Sequence, residues 1–223
     1  MMESKDYIQK ISETAERRFF SSEVRTIKKE ERTDENSAAI IEGYAAKFNS
    51  DTVIGYYYQF REKIRKGAFD DVLKDDVRCL FNHNPNYVLA RCFEGKGTLT
   101  LSVDKVGLKY SYETPDRQYA RDLQNAIELG DISQSSFAFD IEEEIWTEVD
   151  GEMAVREIVK FKRLYDVSPV TYPAYADTEV AKRSLDAFKE KVKPNPVQEE
   201  TRADNNKELN AFDAQIIINS NLD

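Results

Sequence analysis

The chain contains a single histidine, His83, and a segment with three closely spaced serines, Ser133, Ser135 and Ser136. A serine can act as a nucleophile when a general base lies within hydrogen-bond reach and a third group orients that base. With one histidine available, His83 must be the base of any such arrangement. It lies in the polar turn NHNPN, where a preceding strand can hold the backbone while the ring points outward. The alternative is a solvated turn histidine, which is common on protein surfaces.

The serines follow a predicted helix end, in the segment GDISQSSFAF. On a strand, Ser136 faces away from Phe137 and Phe139 and shares a face with the small Ala138. A hydroxyl flanked by small groups, with aromatic rings anchoring the other face, suits an exposed nucleophile. The same pattern also occurs at ordinary strand serines, so both interpretations stay open at this point.

Metal and cofactor chemistry are not expected. Cys79, His83 and Cys92 could each ligate zinc, but a closed zinc site needs four ligands and no fourth candidate lies nearby. Cys79 is then better explained as a small core residue on a strand. The eight glycines never form the G-x-G-x-x-G pattern of a phosphate-binding loop. The sequence therefore predicts no metal site and no cofactor.

Composition restricts the classes of partner. The 42 acidic residues outnumber the 32 basic ones, and a formal net charge of -10 disfavours binding along a phosphate backbone. No apolar run approaches the roughly 20 residues that span a bilayer, and the first residues lack the apolar region of a signal peptide. Two cysteines cannot form a disulfide framework. We expect a soluble protein that binds neither nucleic acid nor membranes and keeps its thiols free in a reducing compartment.

Apolar periodicity predicts many short strands and two helices. Segments such as GTLTLSVD and VGLKYSYET place their apolar side chains on one face with a period of two, and Asp150-Gly151 indicates a further hairpin. Apolar residues every three or four positions predict one helix from about Pro115 that ends at Gly130, and another from about Asp177. Strands with helices outside them predict a mainly β (α+β) domain, with a closed or nearly closed barrel.

Charge density divides the chain into three parts. Residues 1–38 are rich in charged side chains and are predicted to form a mostly mobile arm, with a candidate first strand near residues 22–28. Residues 39–193 are predicted to form the folded domain. Residues 194–223 are polar apart from Phe212 and the patch IIIN, which predicts a disordered tail.

Six blocks of sequence, in this order, resemble the prohead protease family of tailed bacteriophages: GYAAKFNS, KGAFDDVL, LFNHNPNYVLAR, GTLTLSVDKVGLKYSYE, GDISQSSFAF and YDVSPVTYPAYADTEVAKR. Members of that family are capsid-maturation serine peptidases, similar in fold to the herpesvirus assembly proteases. The resemblance implies that His83 is the general base and that Ser136, which precedes F-x-F, is the nucleophile. The chain departs from the family at Gln134, often glycine, and at Ser135, often a larger apolar residue. Ser135 is therefore a second candidate for the attacking hydroxyl.

The resemblance places the third, orienting group at Asp166 in the block YDVSPV. The herpesvirus Ser-His-His arrangement is impossible with one histidine, so a carboxylate must take this role. Asp140 shares a strand face with Ser136, but four residues separate the two by about 13 Å. Asp131 follows a helix end, where an acid could serve only the turn. The alternative for Asp166 is a solvated carboxylate at a strand end.

The remaining parts of the mechanism have weaker sequence signals. The amide of Phe137 is the candidate donor to the oxyanion. Arg91 could stabilise negative charge or form an ion pair at a strand edge, and we favour the ion pair.

The resemblance implies a serine endopeptidase that acts inside the assembling procapsid in the host cytoplasm. Its substrates would be the scaffold or the amino-terminal extension of the major capsid protein, and it would also cleave itself. The herpesvirus analogy implies a homodimer. The alternatives are a non-catalytic scaffold or capsid-assembly protein on the same barrel and, more distantly, a barrel that binds a small ligand.

Overall fold

The computed structural model describes residues 15–20, 24–27, 38–55, 58–148, 151–172, 179–192 and 217–220. These ranges contain thirteen strands and two helices. The strands are β1 (Glu16–Phe20), β2 (Arg25–Thr26), β3 (Ile40–Lys47), β4 (Thr52–Ile54), β5 (Phe60–Ile64), β6 (Val77–Leu80), β7 (Val88–Phe93), β8 (Lys96–Gly97), β9 (Leu99–Val103), β10 (Gly107–Glu113), β11 (Gln134–Thr147), β12 (Val155–Val170) and β13 (Ile217–Ser220). The helices are α1 (Gln118–Leu129) and α2 (Glu179–Val192). Neither helix is long and apolar enough to cross a membrane.

The strands form a large mixed sheet and a small antiparallel sheet. The large sheet has the order β1-β11-β12-β6-β7-β8, with β5 also pairing with β12, β4 with β5 and β13 with β11. The small sheet has the order β2-β3-β10-β9. Strands β5 and β6 run parallel to β12, whereas β11 runs antiparallel to it. The centre of the large sheet therefore places β6 beside β12 of the β11–β12 hairpin, although β6 is distant from that hairpin in sequence.

The prediction of a mainly β fold with two helices is confirmed, but the prediction of a closed barrel is not. The sheets approach each other where β3 lies near β1 and β11, and where β9 lies near β7 and β8. Among the described strands, no pairing joins the two sheets at either place. The sheets are not closed into a barrel because these edges meet through packing and lack a continuous hydrogen-bonded ladder.

Helix α1 agrees with its prediction. It ends before Gly130, which has a φ of 82° and donates its amide to the carbonyls of Ala126 and Ile127. This left-handed conformation is the usual reason for a glycine after a helix. The helix buries Leu123 and Ile127 of the predicted apolar stripe, together with Ala120.

Strands β1 and β13 lie in segments whose composition predicts no regular structure. Strand β1 lies within residues 1–38, the predicted mobile arm. Strand β2 coincides with the candidate strand near residues 22–28. Strand β13 lies within the predicted tail and pairs with β11. The Asp150 position of the predicted hairpin and the rest of the tail lie outside the described residues, and the domain boundaries stay predictions.

The core between the sheets is built on stacked aromatic rings. Phe137 and Phe139 share one face of β11, as predicted, and their ring centroids are 4.7 Å apart. Phe161 of β12 stacks on Phe69 at 4.4 Å and meets Phe139 edge to face at 4.9 Å. These rings fix the core face of β11, so the opposite face carries Ser136.

We expect Phe161→Ala to lower the free energy of unfolding by about 3–5 kcal/mol, because a fully buried ring leaves a cavity. Phe161 is 1% exposed. The matched control is Phe93→Ala, since Phe93 is 51% exposed and its loss should cost about 0.5 kcal/mol or less. Urea unfolding followed by circular dichroism measures both changes. Equal losses in the two variants would contradict the assignment of Phe161 to the core.

A second apolar cluster lies at the opposite end of the long β11–β12 hairpin. Helix α2 contributes Ala181, Leu185 and Phe188. The ring of Phe188 stacks on Trp146 of β11 at 5.1 Å, nearly parallel to it. The apolar spacing that predicts this helix is therefore confirmed at these three residues. Ser184, one turn before Phe188, instead donates a hydrogen bond to Glu144.

Candidate active site

Ser136 lies near the start of β11, on the face opposite the aromatic core. It pairs with Ser168 of β12 on one side and with Phe19 of β1 on the other. The residue is fully buried. Its hydroxyl is thus placed on a rigid, doubly paired strand, which is the setting that positions a reacting group most precisely.

Asp166 lies on β12, beside Ala138 of β11 and Arg78 of β6. Its side chain is 6% exposed. The hydroxyl of Ser168 donates a hydrogen bond to Oδ1 of Asp166 at 2.7 Å. Burial alone would raise the pKa of Asp166, but the neighbouring His83 and Ser168 hold that pKa below its ordinary value. The carboxyl group is therefore ionised at neutral pH.

His83 lies just beyond the end of β6, in a turn with unusual backbone geometry. Both Asn82 and His83 have a φ of 55°, a left-handed conformation that side-chain-bearing residues seldom adopt. Asn82 fixes the turn to the end of β12. Its main-chain amide donates to the carbonyl of Pro169 at 3.0 Å, and its side-chain Oδ1 accepts from the main-chain amide of Thr171 at 2.8 Å. Strained backbone held in place by surrounding contacts is frequent at functional sites.

The three predicted site residues form one hydrogen-bonded chain. Nδ1 of His83 is 2.6 Å from Oδ1 of Asp166, and Nε2 of His83 is 2.7 Å from Oγ of Ser136. Because ionised Asp166 can only accept, Nδ1 carries a proton. In the neutral ring Nε2 is then the unprotonated nitrogen, facing the Ser136 hydroxyl. Ser136 lies on β11, Asp166 on the neighbouring β12, and His83 just after β6, which pairs with β12. The order of contacts is Ser136, His83, Asp166.

The competing candidates have other partners. Ser135 faces the core, where its hydroxyl lies 2.8 Å from the Tyr110 hydroxyl. Asp140 accepts a hydrogen bond from the hydroxyl of Tyr165 at 2.6 Å. Asp131 is exposed in the turn after α1. None of these three forms a hydrogen bond or an ion pair with His83.

The sequence offers two groups that could stabilise negative charge during the reaction, the side chain of Arg91 and the amide of Phe137. Arg91 forms a two-point ion pair with Asp76, with nitrogen–oxygen distances of 2.6 and 2.9 Å, so the ion-pair interpretation is confirmed. Phe137 lies within the ladder between Arg18 of β1 and Val167 of β12, and its role as oxyanion donor stays a prediction. In the described part of the chain, no group of three or more His, Cys, Asp or Glu side chains is arranged to hold a metal ion.

A serine, a histidine and a carboxylate in this order of contacts define the class of serine hydrolases. Residues 25–191 match the sequence profile of the caudovirus prohead serine protease family, and the chain belongs to that family. It is therefore a serine protease of phage capsid maturation that acts in the assembling procapsid. No curated protein and no solved structure matches the chain significantly.

Sequence reasoning missed two residues that support the site, Ser168 and Asn82. Ser168 lies two residues after Asp166, so period two puts both side chains on one face of β12. Asn82 directly precedes His83, and an asparagine there tolerates the left-handed backbone. Both signals were present in the blocks YDVSPV and NHNPN, but only the structure shows which groups these side chains contact.

Proposed function

We propose that the chain is a serine endopeptidase in which Ser136 is the nucleophile, His83 the general base and Asp166 the group that orients His83. The observation that carries the proposal is the unbroken contact chain from Ser136 Oγ through the His83 ring to Asp166, with distances of 2.7 and 2.6 Å. Family membership favours this function over a non-catalytic assembly protein on the same fold.

The mechanism follows from the proton positions. Ser136 Oγ attacks the carbonyl carbon of a peptide bond while Nε2 of His83 accepts the hydroxyl proton. The tetrahedral intermediate collapses to an ester on Ser136, and His83 gives the proton to the departing amine. A water molecule then attacks the ester carbonyl and loses a proton to His83. His83 returns this proton to Ser136 Oγ as the acyl–oxygen bond breaks, which releases the carboxylic acid product and regenerates Ser136. Asp166 keeps the ring in the reactive tautomer and stabilises its protonated form.

The proposed substrates are the scaffold or the amino-terminal extension of the major capsid protein, and the chain itself. Enclosure in a procapsid raises the local concentration of enzyme and substrate, so modest affinity suffices. We further propose that synthesis and assembly take place in the host cytoplasm and that the active species is a homodimer, as the herpesvirus analogy implies.

Co-expression with the cognate major capsid protein tests the substrate. We expect capsid chains shortened at the amino terminus, because a peptidase with this geometry accelerates amide hydrolysis by many orders of magnitude. Capsid protein expressed alone is the control and should stay at full length. Intact mass spectrometry measures both. Capsid chains of full length beside the folded enzyme would contradict the capsid substrate.

A further inference from the structure

The proposed nucleophile is completely covered. Ser136 has no exposed surface, and the side chains of His83 and Asp166 are only 8% and 6% exposed. A peptide carbonyl must approach Ser136 Oγ for attack to begin. Some part of the chain therefore has to move away before a substrate can react.

Strand β1 occupies the position that a substrate would need. It adds to the edge of β11 in antiparallel register, with Phe19 opposite Ser136. The hydroxyl of Ser136 donates a hydrogen bond to the main-chain carbonyl of Arg18 at 2.9 Å. Peptides commonly bind by adding a strand to a sheet edge in this way. The carbonyl of the Arg18–Phe19 bond thus lies where the carbonyl of a scissile bond would lie.

Strand β1 lies outside the part of the chain that the family profile covers. The match begins at residue 25, whereas β1 ends at Phe20. The site residues all lie within that part.

The side chain of Arg18 fills a closed, charged pocket. Its Nε and Nη2 donate to the two carboxylate oxygens of Glu62 at 2.6 and 2.9 Å. Its guanidinium also lies 5.6 Å from the ring centre of Phe139. Arg18 is 2% exposed. A planar, two-point contact of this kind recognises a guanidinium group specifically.

The groups around this pocket leave an excess of negative charge. Arg156 donates to Glu16 at 2.8 Å, to Glu62 at 3.1 Å and to Glu144 at 2.6 Å. Burial alone would raise the pKa of Glu16, but Arg156 and Arg18 lower it to about 2. Without β1, the two carboxylates of Glu62 and Glu144 would face the single guanidinium of Arg156. A buried charge without a partner is costly, so the emptied pocket would favour a basic side chain.

We propose that β1 is an internal occupant of the substrate groove and that Glu62 makes this groove select peptides with arginine directly before the scissile bond. This inference rests on the proposed function and adds its substrate class. Arg18 mimics the basic residue, and an incoming peptide replaces β1 along β11.

The docked strand also keeps Ser136 inactive. The hydroxyl has one proton, and that proton can go either to the carbonyl of Arg18 or to Nε2 of His83. While it is donated to Arg18, His83 cannot accept it. Departure of β1 frees the hydroxyl to donate to His83 and opens the edge of β11.

The first experiment measures how fast a fluorophosphonate labels Ser136 in the full-length chain. We expect Arg18→Gln to be labelled at least about tenfold faster than wild type, because it loses charge-assisted hydrogen bonds to Glu62. The control is Arg25→Gln, which removes an exposed ion pair with Glu42 on the other sheet and should leave the rate unchanged. Equal rates for Arg18→Gln and wild type would overturn the proposal.

If Arg18→Gln does not fold, a hydrogen-exchange measurement on the wild-type protein tests the same displacement of β1. Hydrogen exchange of the amides in residues 16–20 is compared before and after complete labelling of Ser136. A phosphonyl group on Ser136 displaces the strand, so these amides should exchange faster in the labelled protein. Unchanged protection would show that β1 does not occupy the groove.

The second experiment tests selectivity with two reporter peptides, acetyl-Ala-Glu-Arg-Arg and acetyl-Ala-Glu-Arg-citrulline, each ending in a fluorogenic amide. Citrulline has nearly the same shape as arginine but no charge. We expect kcat/KM at least about tenfold higher for the arginine peptide on both Arg18→Gln and wild type. Equal rates, or cleavage of neither peptide by protein that is labelled at Ser136, would overturn the selectivity and leave the peptidase standing. Absence of labelling in every variant would instead refute the proposed function.

Discussion

Ser136→Ala is expected to reduce cleavage of the capsid protein by about 10⁶-fold in kcat, since removing a nucleophile whose partners act as a unit abolishes nearly all catalysis. Ser136 Oγ is the hydroxyl that faces Nε2 of His83 at 2.7 Å. The variant should also lose all labelling by a fluorophosphonate. Its fold should persist, because alanine keeps the backbone pairing of β11 with β12.

The neighbouring Ser135→Ala is the matched control. It removes a hydroxyl of the same size, one residue away, that contacts Tyr110 at 2.8 Å and faces the core. The expected result is cleavage and labelling close to wild type, with a stability loss of about 1 kcal/mol from the broken hydrogen bond. Retained labelling in Ser136→Ala together with lost labelling in Ser135→Ala would assign the nucleophile to Ser135.

The sequence supports this distinction through the period of the strand. Phe137 and Phe139 are large and apolar, so they fix which face of β11 is buried in the core. Ser136 must then lie on the other face and Ser135 on the core face. The structure agrees, and Gly43 shows how tight the core face is: a Cβ there would lie 2.9 Å from the Tyr110 hydroxyl and 3.1 Å from the Ser135 hydroxyl.

The pairing of distant strands could not be deduced from periodicity. The family resemblance points to Asp166, and the distance along a strand argues against Asp140. What brings Asp166 to His83 is the parallel pairing of β6 with β12, in which Asp166 lies beside Arg78. Parallel neighbours need a crossover elsewhere in the chain, and no local pattern specifies which strands they will be.

Strand β1 was missed because sequence analysis treats dense charge as a sign of solvation. Glu16 and Arg18 are instead buried, because each is paired with an opposite charge, Arg156 and Glu62 respectively. These partners lie 44 residues or more away in sequence, so no local pattern reveals them. Opposite charges on the three strands β1, β5 and β12 form buried ion pairs, and only the tertiary structure reveals this pairing. The barrel was overpredicted for a related reason: strand periodicity counts the strands but does not show whether the last edges pair.

Asp166→Asn is expected to lower kcat by about 10⁴-fold while leaving the fold intact. The ionised carboxylate requires a proton on Nδ1 of His83, which leaves Nε2 free to accept the proton of Ser136. An asparagine amide can donate as well as accept, so it permits the other tautomer, with Nε2 protonated. His83 is then still close to Ser136 but cannot act as its base. Hydrolysis of the capsid protein by the full-length variant measures this loss.

Asp140→Asn is the control, because Asp140 contacts Tyr165 and not His83. It should keep activity near wild type, and the opposite pattern would show that Asp166 is not the orienting group. Stability provides an independent check of the same carboxylate. A lowered folded-state pKa contributes stability that is present at neutral pH and lost as the pH falls below about 4. The difference in unfolding free energy between wild type and Asp166→Asn should therefore narrow on acidification, which a merely solvated carboxylate would not produce.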